Sequence, residues 1–259
     1  MKALDFIKRL EQDYPLKYAL EWDNVGLLLG RRNKDIKRVY IALDVTGEVI
    51  QKAIEKGADM LLTHHPMIME PIRRITGGCP LTHNIITLLQ HDMLCYAMHT
   101  NYDALRMCKL ASEMIGIKKS KVLEPLEGTM ENIGIGEIGT IEKAISLKEC
   151  AELVKNRFAL TQVKIFGDLA SEVQKVAIVP GGGKSTIATA IEKGADVLIT
   201  GDIGHHDGLD SLAGQMAIID AGHYGTEYIF IKDMKEYLQK NFSEIEIMSH
   251  PIEQPFCII

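Results

Sequence analysis

The apolar run Leu61-Leu62-Thr63 ends in His64-His65-Pro66, two imidazoles with no spacer. A bare His-His pair is more often an ordinary loop pair than a site. Here three further clusters accompany it: His99-Thr100-Asn101-Tyr102-Asp103, His205-His206, and His223-Tyr224-Gly225-Thr226-Glu227. Two of these carry His-x-x-x-acid at an expected helix start, where positions i and i+4 share a face. The candidates are thus His64, His65, His99, Asp103, His205, His206, His223 and Glu227. Imidazole with carboxylate suits zinc, iron, manganese or cobalt. Neighbouring side chains on an extended backbone diverge, so His64 and His65 suit two ions better than one. Five ligands with one bridging carboxylate give each of two ions three protein ligands. Open positions then remain for water, the mark of a catalytic site. Such a pair of ions, ~3.5–4 Å apart, activates a water and clamps a leaving oxygen.

The elements that must position these groups read as strands followed by helices. Asp59 to Thr63 has the composition and length of a buried strand. Before it stand a strand over Ile36 to Asp44 and a helical pattern over Thr46 to Lys56, closed by Gly57. That order is β-α-β and predicts parallel pairing, with the ligand site past the carboxyl ends of the strands. Further strands are expected at 27–29, 94–98, 133–139, 162–166, 173–179, 196–200, 217–220 and 244–248. Helices are expected at 4–14, 83–90, 104–114, from Ser146 with its Glu149 capping box, near 184–193, and over 223–239.

An internal repeat organises the chain. Ala53-Ile54-Glu55-Lys56-Gly57-Ala58-Asp59 recurs 137 positions on, as 190–196, and Val39–Thr63 against Val176–Thr200 gives 12 identities in 25. Repeats of this kind mark related structural units. The fold class is therefore α/β, with two related half-domains, helices layered on mixed or parallel sheets and a metal site between them. The halves are placed at 1–125 and 126–259, either contiguous or interlocked, with the boundary in the stretch Glu124 to Asn132. A shift of offset to 124 matches His99 with His223 and Asp103 with Glu227, whereas His64 and His65 match Gly201 and Asp202. The halves are not equivalent ligand sets, and one shared site is expected.

Other stretches have plainer explanations. Glu21-Trp22-Asp23-Asn24-Val25-Gly26 reads as a turn into a strand, or as part of a site rim. Residues 67–81 form a loop long enough to be a lid. Gly183-Lys184-Ser185-Thr186 imitates the end of a phosphate-binding loop, but that motif needs glycine where Ile178 stands. The three glycines before Lys184 make a strand-to-helix turn, with a backbone anion cradle as the alternative.

Composition narrows the function classes. Net charge is −6 with no basic run, which disfavours capture of nucleic acid. Five widely spaced cysteines with no CxxC fit a reduced, cytoplasmic protein. The N-terminus has no signal-like apolar region, and no apolar stretch approaches the ~20 residues of a membrane span.

Together, Leu61-Leu62-Thr63-His64-His65-Pro66, His99 to Asp103, Thr200-Gly201-Asp202 with His206, His223 to Glu227 and the Glu21–Gly26 signature stand in a known order. The chain resembles the GTP cyclohydrolase I type 2 homolog (Nif-three-like) family over essentially its whole length, in the short form without an inserted domain. The resemblance implies a dinuclear centre: one ion on His65, Asp103 and Glu227, the other on His64, His223 and the bridging Glu227. It also implies a ring-shaped homohexamer with the sites facing an internal cavity. His99 and His206 would stand beside the ions, orienting ligands or moving protons. Asn101-Tyr102 depart from the smaller residues many members carry there. The function implied is metal-dependent hydrolysis of a nucleotide or related small molecule. A metal-dependent binding or regulatory ring protein without turnover is the alternative, and the net charge weighs against a DNA-handling ring.

Overall fold

The computed structural model describes residues 1–129 and 132–257. Met130 and Glu131, inside the expected boundary stretch, lie outside the described residues. The elements in chain order are α1 (Ala3–Asp13), a 3-10 turn, β1 (Gly26–Leu29), β2 (Arg38–Ala42), α2 (Gly47–Glu55), β3 (Met60–Thr63), α3 (Pro80–Gln90) and β4 (Leu94–Ala97). Then come α4 (Thr100–Tyr102), a π-helical turn (Asp103–Met107), α5 (Cys108–Ile115), β5 (Lys118–Pro125), β6 (Gly134–Ser146), α6 (Leu147–Arg157), β7 (Lys164–Phe166) and β8 (Glu172–Gly182). The chain closes with a 3-10 turn (Lys184–Thr186), α7 (Ile187–Glu192), β9 (Val197–Gly201), α8 (His205–Ala213), β10 (Ala217–Asp220), α9 (His223–Glu227), α10 (Ile229–Asn241) and β11 (Glu246–Ser249). The fold is mixed α/β with two mixed sheets.

Two compact units are present. One comprises Met1–Tyr102 with Phe230–Glu253, the other Asp103–Ile229 with the tail from Gln254. Residues 103–125 fall with the second unit. The reason is β5, a strand the sequence pattern does not reveal. It pairs antiparallel with β6 and so ties 118–125 to the second sheet. Conversely, β11 pairs parallel with β2 and so ties 246–249 to the first sheet.

The first unit has the sheet order β1-β4-β3-β2-β11. Its β2-α2-β3 crossover gives the parallel pair expected, with Val39 opposite Met60 and Ala42 opposite Thr63. Thr46 caps α2 by accepting from Val49 N at 3.2 Å. Val49, Ile50 and Ala53 then face a core of Tyr40, Ala42, Leu61, Leu88 and Cys95. Burial of a side chain of this kind contributes roughly 1.5–3 kcal/mol, so the sheet is fixed where its carboxyl ends deliver the histidines.

The second unit has the order β5-β6-β8-β9-β10-β7, with β8, β9 and β10 parallel. Its core contains Ala177, Val179, Ile187, Ala190, Ala195 and Leu198. Each lies 137 positions after a member of the first core: Tyr40, Ala42, Ile50, Ala53, Ala58 and Leu61. The duplication extends to single hydrogen bonds. Asp59 Oδ2 accepts from Lys37 N and Arg38 N, and Asp196 Oδ2 accepts from Gln174 N and Lys175 N. Gly57 and Gly194 end their helices at φ +64° and +68°, a left-handed conformation that favours glycine.

A candidate metal centre

In the first unit three histidines stand past the carboxyl ends of β3 and β4. The parallel ladder runs on beyond β3, His64 N donating to Ala42 O at 3.3 Å and His65 N to Leu43 O at 2.9 Å. The His64 side chain is thereby driven inward and is fully buried, its ring 5.2 Å from that of Phe230. One ring nitrogen of each of His64, His65 and His99 lies within 4.8 Å of the others, a group that could hold a metal ion.

Each ring is oriented by its Nδ1. His64 Nδ1 is 2.8 Å from Met98 O, His65 Nδ1 is 2.7 Å from Asp44 Oδ1, and His99 Nδ1 is 2.9 Å from Asp23 Oδ1. A carbonyl and a carboxylate only accept, so each Nδ1 carries the proton and donates. In the neutral ring the lone pair then sits on Nε2. That is how metal-binding histidines are prepared, and it fixes tautomer and direction together.

Asp23 is the most enclosed of these partners. Its side chain has no exposed surface, and besides His99 it accepts from Thr100 N at 3.0 Å and Thr100 Oγ1 at 2.5 Å. Burial pushes its pKa up, but hydrogen bonds and charge from His99, with the bonds from Thr100, outweigh this and hold the carboxyl below its usual range. The turn around Trp22 is therefore part of the site's framework.

In the second unit α9 holds His223 and Glu227 one turn apart, with His223 Nε2 3.0 Å from Glu227 Oε2. Two ligands on one ion with bonds of ~2.0–2.1 Å are separated by about 2.9–3.4 Å, so this spacing fits a shared cation. His223 Nδ1 donates to Asp202 Oδ2 at 2.8 Å, the same preparation seen in the first unit. The Glu227 carboxylate is buried and occupies space left by Gly181. A Cβ on Gly181, whose φ is +72°, would stand 2.0 Å from Glu227 Oε1. The role of the three-glycine turn lies there: the first glycine makes room for a carboxylate.

Asp103 opens the π-helical turn, a distortion frequent at functional sites. Burial first, then the charges of Asp103, Glu137 and Glu227, push the Cys108 thiol well up, against a hydrogen bond from Gly136 N. Asp103 and Glu227 thus act on one buried thiol. A cavity of about 360 Å³ has Asp202, the partner of the His223 ring, in its wall, with Gly222, Lys164, Asp220 and Gln162. Its size falls in the range of small-molecule sites.

His205 and His206 are exposed in the first turn of α8, rings 5.3 Å apart. Tyr102 is fully buried, its hydroxyl donating to Asp233 Oδ2 at 2.7 Å, so its bulk goes to the core. Sequence spacing misses Asp23, Asp44, Asp202 and Gly181. Signals for three of them exist. Asp44 follows β2 at its carboxyl end, and the repeat pairs Asp44 with Gly181 and His65 with Asp202. It also pairs His64 with Gly201, where a Cβ would come within 2.5 Å of His223 N. The second half has no room for a histidine there.

The family model for Duf34/NIF3 (NGG1p interacting factor 3) matches residues 1–255. A Clostridium perfringens protein named GTP cyclohydrolase 1 type 2 homolog is 33% identical, over 99% of both chains. A Streptococcus pneumoniae protein of the same name is 35% identical over 93% of this chain and 91% of its own. The crystal structure of a Staphylococcus aureus hypothetical protein superposes with a TM-score of 0.91 at 27% identity, covering 100% of this chain and 99% of that one. This chain belongs to the Duf34/NIF3 family, among the GTP cyclohydrolase 1 type 2 homologs. Among the described residues no helix is long and apolar enough to cross a membrane.

Proposed function

We propose that this chain is a metal-dependent hydrolase acting on a nucleotide or related small molecule, with His64, His65, Asp103, His223 and Glu227 holding two divalent ions. In this account Glu227 bridges, His65 and Asp103 complete one ligand set, and His64 and His223 complete the other. The observation that carries the proposal is the uniform treatment of the histidines. All three proposed histidine ligands give their Nδ1 proton to an acceptor, the tautomer in which Nε2 can serve as a metal ligand. When bound, two such ions supply a nucleophile derived from water at neutral pH and neutralise charge on the leaving oxygen.

The chain's own residues do the rest. Asp44 and Asp202 hold the His65 and His223 rings in place, and Gly181 keeps the Glu227 carboxylate where the ligand set needs it. His99, locked by Asp23, presents Nε2 beside His64 and His65 and is placed to hold or pass a proton. The cavity walled by Asp202 and Gly222 gives a small molecule room to bind in the second unit. Zinc, iron, manganese or cobalt would suit the donors. The account extends to a homohexamer in the cytoplasm, which sedimentation of the purified protein tests.

The activity test is a panel of nucleotides and phosphoesters offered to metal-loaded and chelator-treated protein. Turnover that disappears with the chelator and returns with the metal supports the proposal. Absence of any turnover by metal-loaded protein would transfer support to metal-dependent binding without catalysis.

A further inference from the structure

Trp22 is the chain's single tryptophan, and it is 61% exposed. A side chain of this size on a surface is informative, because leaving it in water forfeits a large burial term. It is not on a slack loop. Asp23 N donates to Leu20 O at 3.0 Å, and Leu20 N donates to Thr100 Oγ1 at 2.9 Å. The enclosed Asp23 carboxylate anchors the turn from within. On the other side Asn24 Nδ2 donates to Ile68 O at 2.6 Å. The indole is thus presented by a fixed turn beside the histidine group, its ring 5.9 Å from His99 at an interplanar angle of 75°. With more than half its surface open, at least one face of the ring is largely uncovered.

We propose that Trp22 is a stacking platform for the flat, π-rich part of the ligand, a nucleobase or comparable heteroaromatic ring, whose reacting end reaches His64, His65 and His99. This rests on the proposal that the histidine group serves a small-molecule site, and it names the chemical class that site takes. A rigid platform suits the task because little ordering remains to be done when a ring lands on it. Stacking of a base on an aromatic side chain is tolerant of base identity, so both purine nucleotides tested below should bind.

Because Trp22 is the sole tryptophan, its emission reports on the platform directly. The experiment titrates the purified full chain, its metal content measured on the same preparation, with GMP, AMP and ribose 5-phosphate. Saturable quenching by GMP and AMP, but not by the base-free sugar phosphate, is expected. Calorimetry on Trp22→Ala should show GMP affinity down about 10- to 100-fold, with Trp22→Phe recovering most of the loss. Equal binding of GMP by Trp22→Ala and the parent protein would overturn the proposal. So would emission already shielded from acrylamide in the free protein, since another copy of the chain would then cover the ring. A preparation with its ions in place but no quenching overturns the platform and leaves the metal centre standing. Quenching without metal does the reverse.

Discussion

Replacing Gly181 with alanine separates two effects that usually travel together. The residue has φ +72°, and an L side chain in that region costs about 1–2 kcal/mol of backbone energy. The new Cβ would also stand 2.0 Å from Glu227 Oε1 and 2.9 Å from its Cδ. The oxygen must retreat from 2.0 Å to ordinary contact, a shift of more than about 1 Å, whereas metal-ligand distances tolerate about 0.2 Å. Metal affinity should fall at least about tenfold, or about 1.4 kcal/mol, beyond the loss of fold stability. Gly116→Ala is the control: φ is +83°, and nothing lies within 4 Å of its added Cβ. Both variants should lose about 1–2 kcal/mol in urea unfolding of metal-free protein. Only Gly181→Ala should lose metal affinity by calorimetry. Equal zinc affinity in Gly181→Ala and the parent would refute the claim that this glycine makes room for a metal-binding carboxylate.

Two further outcomes follow from the hydrogen bonds. Asp202→Asn removes the anionic acceptor from His223 Nδ1 at a site whose side chain is mostly exposed. It should weaken metal binding about 10- to 100-fold while shifting unfolding stability by no more than about 0.5 kcal/mol, as calorimetry and urea titration would show. Asp23→Asn should lower stability at pH 7 by about 1–3 kcal/mol, because charge-assisted bonds to His99 and Thr100 weaken. The Asp23 carboxyl is held below its unfolded value, so its contribution is present above about pH 4 and fades as pH falls through the lower folded value. The gap between parent and Asp23→Asn should therefore narrow in acid, and a gap that widens instead would contradict the assignment.

Much of the fold is legible because β2-α2-β3 and its repeat carry both a period and a shared run of identical residues. What the pattern hides is instructive. β5 opens with Lys118, Lys119, Ser120 and Lys121, all exposed, since an edge strand protects itself with charge rather than alternating apolar residues. α8 begins with two histidines and contains Gly208, so its sequence looks like a loop. Gly208 has a packing reason, since a Cβ there would come within 2.2 Å of the Phe166 ring.

The histidines themselves are visible in the sequence because the His64-His65 pair is accompanied by His-x-x-x-acid at 99–103 and again at 223–227. Of their partners, Asp23 and Asp202 stand in the Glu21–Gly26 and Thr200–Asp202 stretches with no role assigned by spacing, and Asp44 carries no spacing signal at all. Only the repeat gives a hint, and it does so by exchange. One half keeps aspartate at 44 and histidine at 65, and the other keeps glycine at 181 and aspartate at 202. The two halves share one frame and differ at these positions, so each contributes different groups.

The most direct test is elemental analysis of the parent protein and Glu227→Ala, purified side by side with metal supplied. A bridging Glu227 predicts about two ions per chain in the parent and loss of both together in the variant. One ion or none in the parent, or loss of a single ion in the variant, would contradict the bridged two-metal centre.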